Sequence, residues 1–291
     1  MSKIALALLA FCALAAGPVH AAGGAIVVSE PGYTVRSAVD WTHGRVAVEI
    51  THSLDPSLPS IVRAKGDAAA DIESRLPDFI SRAVAALTVD SSHTMGDLLG
   101  SDPELFARWS ELGFGTRRDE FFLSQDFSSL VARYTLPFFG ADGISSPLFP
   151  SRETPIRRSL GYVATRKFSG LLIHAKGRLP EAGSSRMTAA RPALFPRIWD
   201  EQMNLVLDKG MCSPEALARW GMVGYALDPD EDAAVLRVGN FPLRLAARGV
   251  FGDKPADIVI STDGARKLLT LAENIALLRE GRIVIVYDSL D

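Results

Sequence analysis

Few residues in this chain are spaced for catalysis. Ser261 falls between an apolar strand pattern and a helical one, where a nucleophilic serine would sit, but the glycines of a G-x-S-x-G elbow are missing. A serine in that place caps the helix that follows by accepting from its first free N–H groups. Cys212 precedes Ser213-Pro214-Glu215, a helix-start pattern. A thiol there is activated only if it is open to solvent, and a buried, inert thiol is expected. His43, His52, His93 and His174 are far apart in sequence. A hairpin can bring His43 toward His52, but two ligands do not make a zinc site. Asp228, Asp230 and Asp232 mimic the first three ligands of a calcium loop, which then needs Gly at its sixth place and Glu at its twelfth. Ala233 and Gly239 stand there, so acidic residues in a solvated turn are expected. Gly113-Phe114-Gly115 begins like a dinucleotide fingerprint and lacks the third glycine. Asp200-Glu201 is a carboxylate pair of the kind that turns often carry. We therefore assign no catalytic residue, no cofactor-binding residue, no metal ligand and no cofactor from sequence. Whether the chain is an enzyme stays open, with the balance toward a non-enzyme. A hydrolase would require His174 or His93 beside a carboxylate or a serine in a pocket.

The elements that must carry these side chains are clearer. Residues 33–41 and 46–50 alternate apolar and polar on either side of Thr42-His43-Gly44, which predicts a β-hairpin with one buried face. Ile61, Ala68, Ile72, Leu76, Phe79, Ile80, Ala83 and Leu87 form a helical stripe. Pro77 should kink it or split it into two helices, because proline lacks the N–H needed mid-helix. Shorter helices are expected at 94–99 and 103–112, a loop at 113–126 and a strand at 130–139. Glycine, proline and serine at 140–159 mark a linker.

Beyond it, 170–175 reads as a strand and 193–198 as an extended edge segment, with 203–207 pairing across Asp200-Glu201-Gln202. A capped helix is expected at 213–220, ending at Gly221. Residues 243–251 and 257–260 read as strands. Ser261 or Thr262 opens a helix that Gly281 ends, and 283–287 is an apolar strand of the fully buried kind. The strand–helix–strand unit at 257–287 could place its two strands parallel in one sheet. The expected class is α+β: an N-terminal β-hairpin and long helix, then a C-terminal mixed sheet with capped helices. The expected division is 1–21, 22–150 and 160–291.

Residues 1–21 read as a cleavable signal peptide: Lys3, the apolar run 4–16, the helix breaker Gly17-Pro18, and Val19-His20-Ala21 before the cut. The run is shorter than the roughly 20 residues a membrane span needs. Phe11 before Cys12 departs from a lipoprotein signal. The formal charge of −3 becomes one unit more negative when Lys3 leaves. Such a chain has no basic excess to hold a nucleic-acid backbone. With Cys12 removed, Cys212 is alone and no internal disulfide can form, so the fold must rest on its apolar core.

The stretch 168–287 carries an order of motifs. Phe168-Ser169-Gly170-Leu171-Leu172-Ile173-His174 comes first, then Pro192-Ala193-Leu194-Phe195-Pro196 and Trp220-Gly221-Met222-Val223-Gly224-Tyr225. Arg237-Val238-Gly239-Asn240, Asp257-Ile258-Val259-Ile260-Ser261 and Arg282-Ile283-Val284-Ile285-Val286-Tyr287 follow. This order resembles the C-terminal region of exported bacterial envelope proteins grouped with the twenty-kilodalton outer-membrane lipoproteins and the N-terminal part of the flagellar T-ring accessory protein. Arg63-Ala64 and Gly66-Asp67-Ala68 resemble the start of that family's long helix.

The resemblance implies a non-enzymatic envelope or appendage-assembly role through contacts with envelope or basal-body proteins. It implies a periplasmic location, peripheral to the outer membrane, and no catalytic residues. The alternative is a periplasmic small-ligand or glycan-binding module, for which Trp41, Trp109, Trp199 or Trp220 would have to line a cleft.

Overall fold

The computed structural model describes residues 26–140 and 142–289. The leader expectation for 1–21 lies outside the described residues. The N-terminal half opens with β1 (Ile26–Glu30), β2 (Tyr33–Asp40) and β3 (Arg45–Ser53). The helices α1 (Ile61–Ser74), α2 (Leu76–Val84), α3 (Met95–Ser101) and α4 (Pro103–Ser110) follow, then β4 (Arg118–Leu123) and β5 (Ser129–Pro137). The five strands make one antiparallel sheet in the order β1-β2-β3-β5-β4.

The expected hairpin is β2–β3, and its register explains the alternation. Val35 faces Ile50, and Ile50 faces Ala132 on β5. These side chains are buried against Ala68 and Ile72 of α1 and Phe79, Ile80 and Ala83 of α2. The opposite face stays wet and carries a cross-strand charge row. Arg36 pairs with Glu49, Glu49 with Arg133, and Arg133 with Glu120. Exposed pairs of this kind contribute about 0.2–1 kcal/mol each, chiefly fixing register.

The helical stripe divides as Pro77 requires, α1 ending at Ser74 and α2 beginning at Leu76. Two elements were not foreseen. β1 adds an edge strand before the hairpin. The expected loop at 113–126 holds β4, whose burial is mostly shallow because it is the other edge and packs few apolar side chains.

The C-terminal half contains β6 (Leu171–His174), β7 (Arg178–Pro180), β8 (Met187–Ala189), β9 (Ile198–Asp200) and β10 (Leu205–Leu207). Then come α5 (Pro214–Trp220), β11 (Gly224–Ala226), α6 (Asp232–Val238), β12 (Leu243–Ala246), β13 (Gly249–Phe251) and β14 (Asp257–Ile260). The chain closes with α7 (Thr262–Thr270), α8 (Ala272–Arg279) and β15 (Ile283–Val286). The α+β class stands. The mixed sheet runs β10-β9-β14-β13, and beside it lies an all-parallel sheet, β11-β15-β6-β12.

Four expectations change in this half. Residues 198–200 are an interior strand, not an edge, because β14 pairs on the side away from β10. The strand expected at 243–251 is two, β12 and β13, which join different sheets. The helix expected from Ser261 to Gly281 breaks at Leu271 into α7 and α8. β14 and β15 do not share a sheet: β14 pairs with β9 and β13, β15 with β6 and β11.

The linker is bonded to both halves: Ile144 O accepts from Trp109 Nε1 on the N-terminal side, and its later residues dock on the C-terminal side. Thr154 N donates to Gly210 O and Ser159 N to Leu269 O. One apolar core holds Val48, Phe79 and Trp109 together with Ile173, Phe195 and Ile285.

Candidate functional site

The hairpin turn between β2 and β3 is a compact polar knot. Asp40 accepts from the His43 backbone N–H at 3.0 Å, and its carboxylate lies 2.9 Å from the His43 ring Nδ1 and 3.1 Å from Arg45 Nε. Burial pushes the Asp40 carboxyl up, but these bonds outweigh it and hold it below the usual range. Gly44 closes the turn at φ +63, a left-handed conformation that glycine adopts without steric cost.

The knot delivers Trp41 against the C-terminal half. The Trp41 ring meets Phe138 at 4.9 Å and Tyr225 of β11 at 5.6 Å, both edge to face. Tyr225 is itself fixed, its hydroxyl donating to Ala193 O and accepting from Ala193 N, each at 2.9 Å. Burial raises its pKa. Behind it the buried Tyr287 hydroxyl lies beside Thr42, pushed by burial to about 12.

The opposite wall comes from the end of α5. Gly221 terminates that helix at φ +79, and a Cβ there would lie 2.3 Å from the Phe139 ring. Glycine is needed twice, for the backbone and for the aromatic ring that packs on it. Next to it Trp220 donates from Nε1 to Glu280 O at 2.9 Å, which holds its ring in place. Arg219 stacks over that ring at 4.4 Å and Arg237 at 5.0 Å.

Arg237 is the unusual group. Its side chain leaves α6 and is buried, with 8 % of the residue exposed. Nε donates to Gly281 O at 2.8 Å, Nη1 to Trp220 O at 2.8 Å and Nη2 to Gly221 O at 2.7 Å. It joins three chain segments through carbonyls alone. Among the described residues no carboxylate forms an ion pair with it. Burial lowers its pKa to about 9, so it keeps its positive charge at neutral pH.

These walls enclose a cleft of about 260 Å³ between the halves. Trp41, Phe139 and Trp220 supply aromatic surface, and Arg219 and Arg237 supply charge. No Asp or Glu lines it. The cleft can hold a small molecule. His43 at its rim is tied to Asp40, and no hydroxyl or thiol hydrogen-bonds to that ring among the described residues, so the cleft shows no nucleophile and base in contact. A larger groove of about 710 Å³ carries Arg157, Arg158 and Arg266 beside Met203 and Leu205, without aromatic walls.

Ser261 accepts from Gly264 N at 3.1 Å and caps α7. Cys212 is buried, and burial pushes its thiol to about 12. The turn places His43 and His52 at opposite ends of the hairpin, His52 opposite Tyr33 and His43 just beyond Asp40, so they do not meet. His52 instead reaches Asp71 at 2.9 Å. His93 pairs with Asp90 at 3.0 Å in a tight turn, while His174 lies at the end of β6.

Asp228 accepts from Asp230 N within its turn. Asp200 accepts from Gln202 N and Asn204 N, and Glu201 from Thr262 N, so both acids serve backbone. Phe114, between the two glycines, is buried against Trp109 at 4.6 Å. Trp109 is fully buried and Trp199 bonds the buried Asp257 at 3.0 Å.

Trp41 and Trp220 do share a cleft. The residues missed from sequence are Phe139, Arg219 and Arg237. Arg237 stood in the quoted motif order, but only the fold brings its guanidinium to Trp220. Among the described residues no group of three or more His, Cys, Asp or Glu could hold a metal ion. No helix among them is long and apolar enough to cross a membrane.

Comparison with known proteins places both halves beside one spirochaete protein. Residues 33–141 match the family model of the N-terminal domain of Treponema pallidum Tp0624, and residues 170–289 match the model of its second domain. No curated protein matches the chain.

Proposed function

We propose that this chain is an exported, non-enzymatic protein of the cell envelope that works by holding other proteins, in assembly of an envelope or flagellar structure. The observation that carries the reading is the exposed apolar side chains of α6 and the turn after it. Leu236 is 80 % exposed and Phe241 71 % exposed, and Val235 is exposed as well. β12, which follows that turn, is an edge strand that pairs only with β6. Exposed apolar side chains close together in sequence and an open strand edge favour a protein partner. The leader pattern and the envelope-protein resemblance support the compartment.

Cell fractionation followed by crosslinking tests it. The protein should sediment with the envelope and crosslink to neighbours, and Phe241→Arg should remove those crosslinks while leaving thermal stability unchanged. Recovery from the cytosol as an uncrosslinked monomer would end this reading.

A second reading, a small-ligand or glycan-binding module, is favoured by the shared cleft of Trp41 and Trp220. The two are compatible, because the exposed apolar side chains and the cleft lie on different surfaces of α6: Leu236 points to solvent while Arg237 is buried.

A further inference from the structure

We infer that the cleft between the two halves binds a compact organic anion with a flat apolar body, such as an aromatic carboxylate. This rests on the ligand-binding reading above and goes further by naming the charge and shape of the ligand.

Three observations converge. The first is an uncompensated cation. Arg237 is buried, and its bonds to Gly281, Trp220 and Gly221 carbonyls satisfy geometry without cancelling charge. Guanidinium has five N–H donors, and three are used. A buried charge without a counter-ion is costly, and an anion in the cleft would offset that cost. The second is a second cation at the rim. Arg219 is exposed, stacks on Trp220 at 4.4 Å and has no ion pair among the described residues. The third is the walls. Trp41, Phe139 and Trp220 line the space with aromatic carbon, and no acidic side chain lines it to repel an anion.

Size sets the remaining limit. A volume of about 260 Å³ lies just below the roughly 300–1,000 Å³ typical of drug-sized sites. A single ring with a short acidic arm fits that scale, whereas an oligosaccharide does not. The carboxylate would sit toward the two arginines, and the ring among the aromatic side chains of the walls. Arginine suits this task because its planar fork matches a carboxylate and its face stacks on an aromatic ring.

The test uses the purified full chain with phenylacetate, its neutral isostere phenylacetamide, and glucose, each followed by tryptophan fluorescence and calorimetry. Phenylacetate should bind saturably and at least tenfold tighter than phenylacetamide, with glucose weaker still. Arg219→Gln should lower phenylacetate affinity about tenfold and leave phenylacetamide binding unchanged. Because Arg219 is exposed, that variant should fold normally, which circular dichroism and melting check.

Arg266→Gln, in the larger groove, should change nothing. Equal binding of the acid and the amide, or preference for glucose, would overturn the anion assignment and keep the ligand-binding reading. Loss of binding in Arg266→Gln but not in Arg219→Gln would overturn the location. No saturable binding of any of the three would overturn the anion assignment and the ligand-binding reading together.

Discussion

The thiol of Cys212 lies where the chain turns into α5, with its sulfur 3.8 Å from Leu278 O and 3.9 Å from Asp208 O. Carbonyl oxygens and apolar neighbours disfavour a thiolate. Burial, the largest cause, raises its pKa from the ordinary value to about 12. The acid is therefore harder to ionise in the fold, and the protein holds a neutral thiol at every pH below that value. Only the thiolate is the nucleophile, so the raised value leaves the native thiol unreactive near neutral pH. In a Cys12→Ala chain, Cys212 should fail to react with a disulfide reagent at pH 8 and should react at once in guanidinium. Rapid labelling of the native protein would contradict this burial. The expectation of an inert thiol was available from sequence only as a preference, because Ser213-Pro214-Glu215 fits an activated site equally well. What decided it was cover from α8, far along the chain.

Caps and breaks are the business of the element. Ser60, Thr94, Asp102, Ser213 and Ser261 all accept from the first turn of the helix they precede. Such bonds use N–H groups that the helix itself cannot satisfy. Ser261→Ala should lower stability by about 1 kcal/mol, which for a chain of this size is a fall of about 2–4 °C in melting temperature. An unchanged melting point would argue that Ser261 is not a cap.

The break of α1 from α2 was legible because proline announces it. The break of α7 from α8 was not, because no proline or glycine stands at Leu271. Its cause is distant. The last carbonyls of α7 accept from the linker and the chain just after it: Lys267 O from Thr165 Oγ1, Leu269 O from Ser159 N and Thr270 O from Arg158 Nε. Buried Asn274 adds to it, accepting from Phe168 N and donating to Lys267 O. A helix end satisfied from outside has no need to continue.

At the scale of the whole molecule, the two halves behave as one packing unit. Trp41 meets Tyr225, Phe139 meets Phe195 at 6.2 Å, and the 88–89 segment accepts backbone bonds from Leu194 and Phe195. Calorimetry should therefore show one cooperative unfolding transition rather than two. Trp41→Ala should cost about 3–5 kcal/mol while keeping a single transition. Two separated transitions in the unmutated chain would show that the halves fold alone.

Sequence by itself determined what depends on neighbours along the chain. The hairpin, the split helix, the caps and the buried apolar strand at 283–286 follow from period-two or helical patterning, from proline and from cap residues. Tertiary structure alone decided which sheet each strand joins. β14 and β15 are similar apolar runs, and nothing in their composition says that one pairs with β9 and the other with β6. The cleft is of the same kind. Trp41, Phe139, Trp220 and Arg237 come from four separate segments, and each reads locally as an ordinary core or surface residue. Periodicity reports the face a side chain presents, whereas the neighbour it meets is chosen by packing among segments that are remote in sequence.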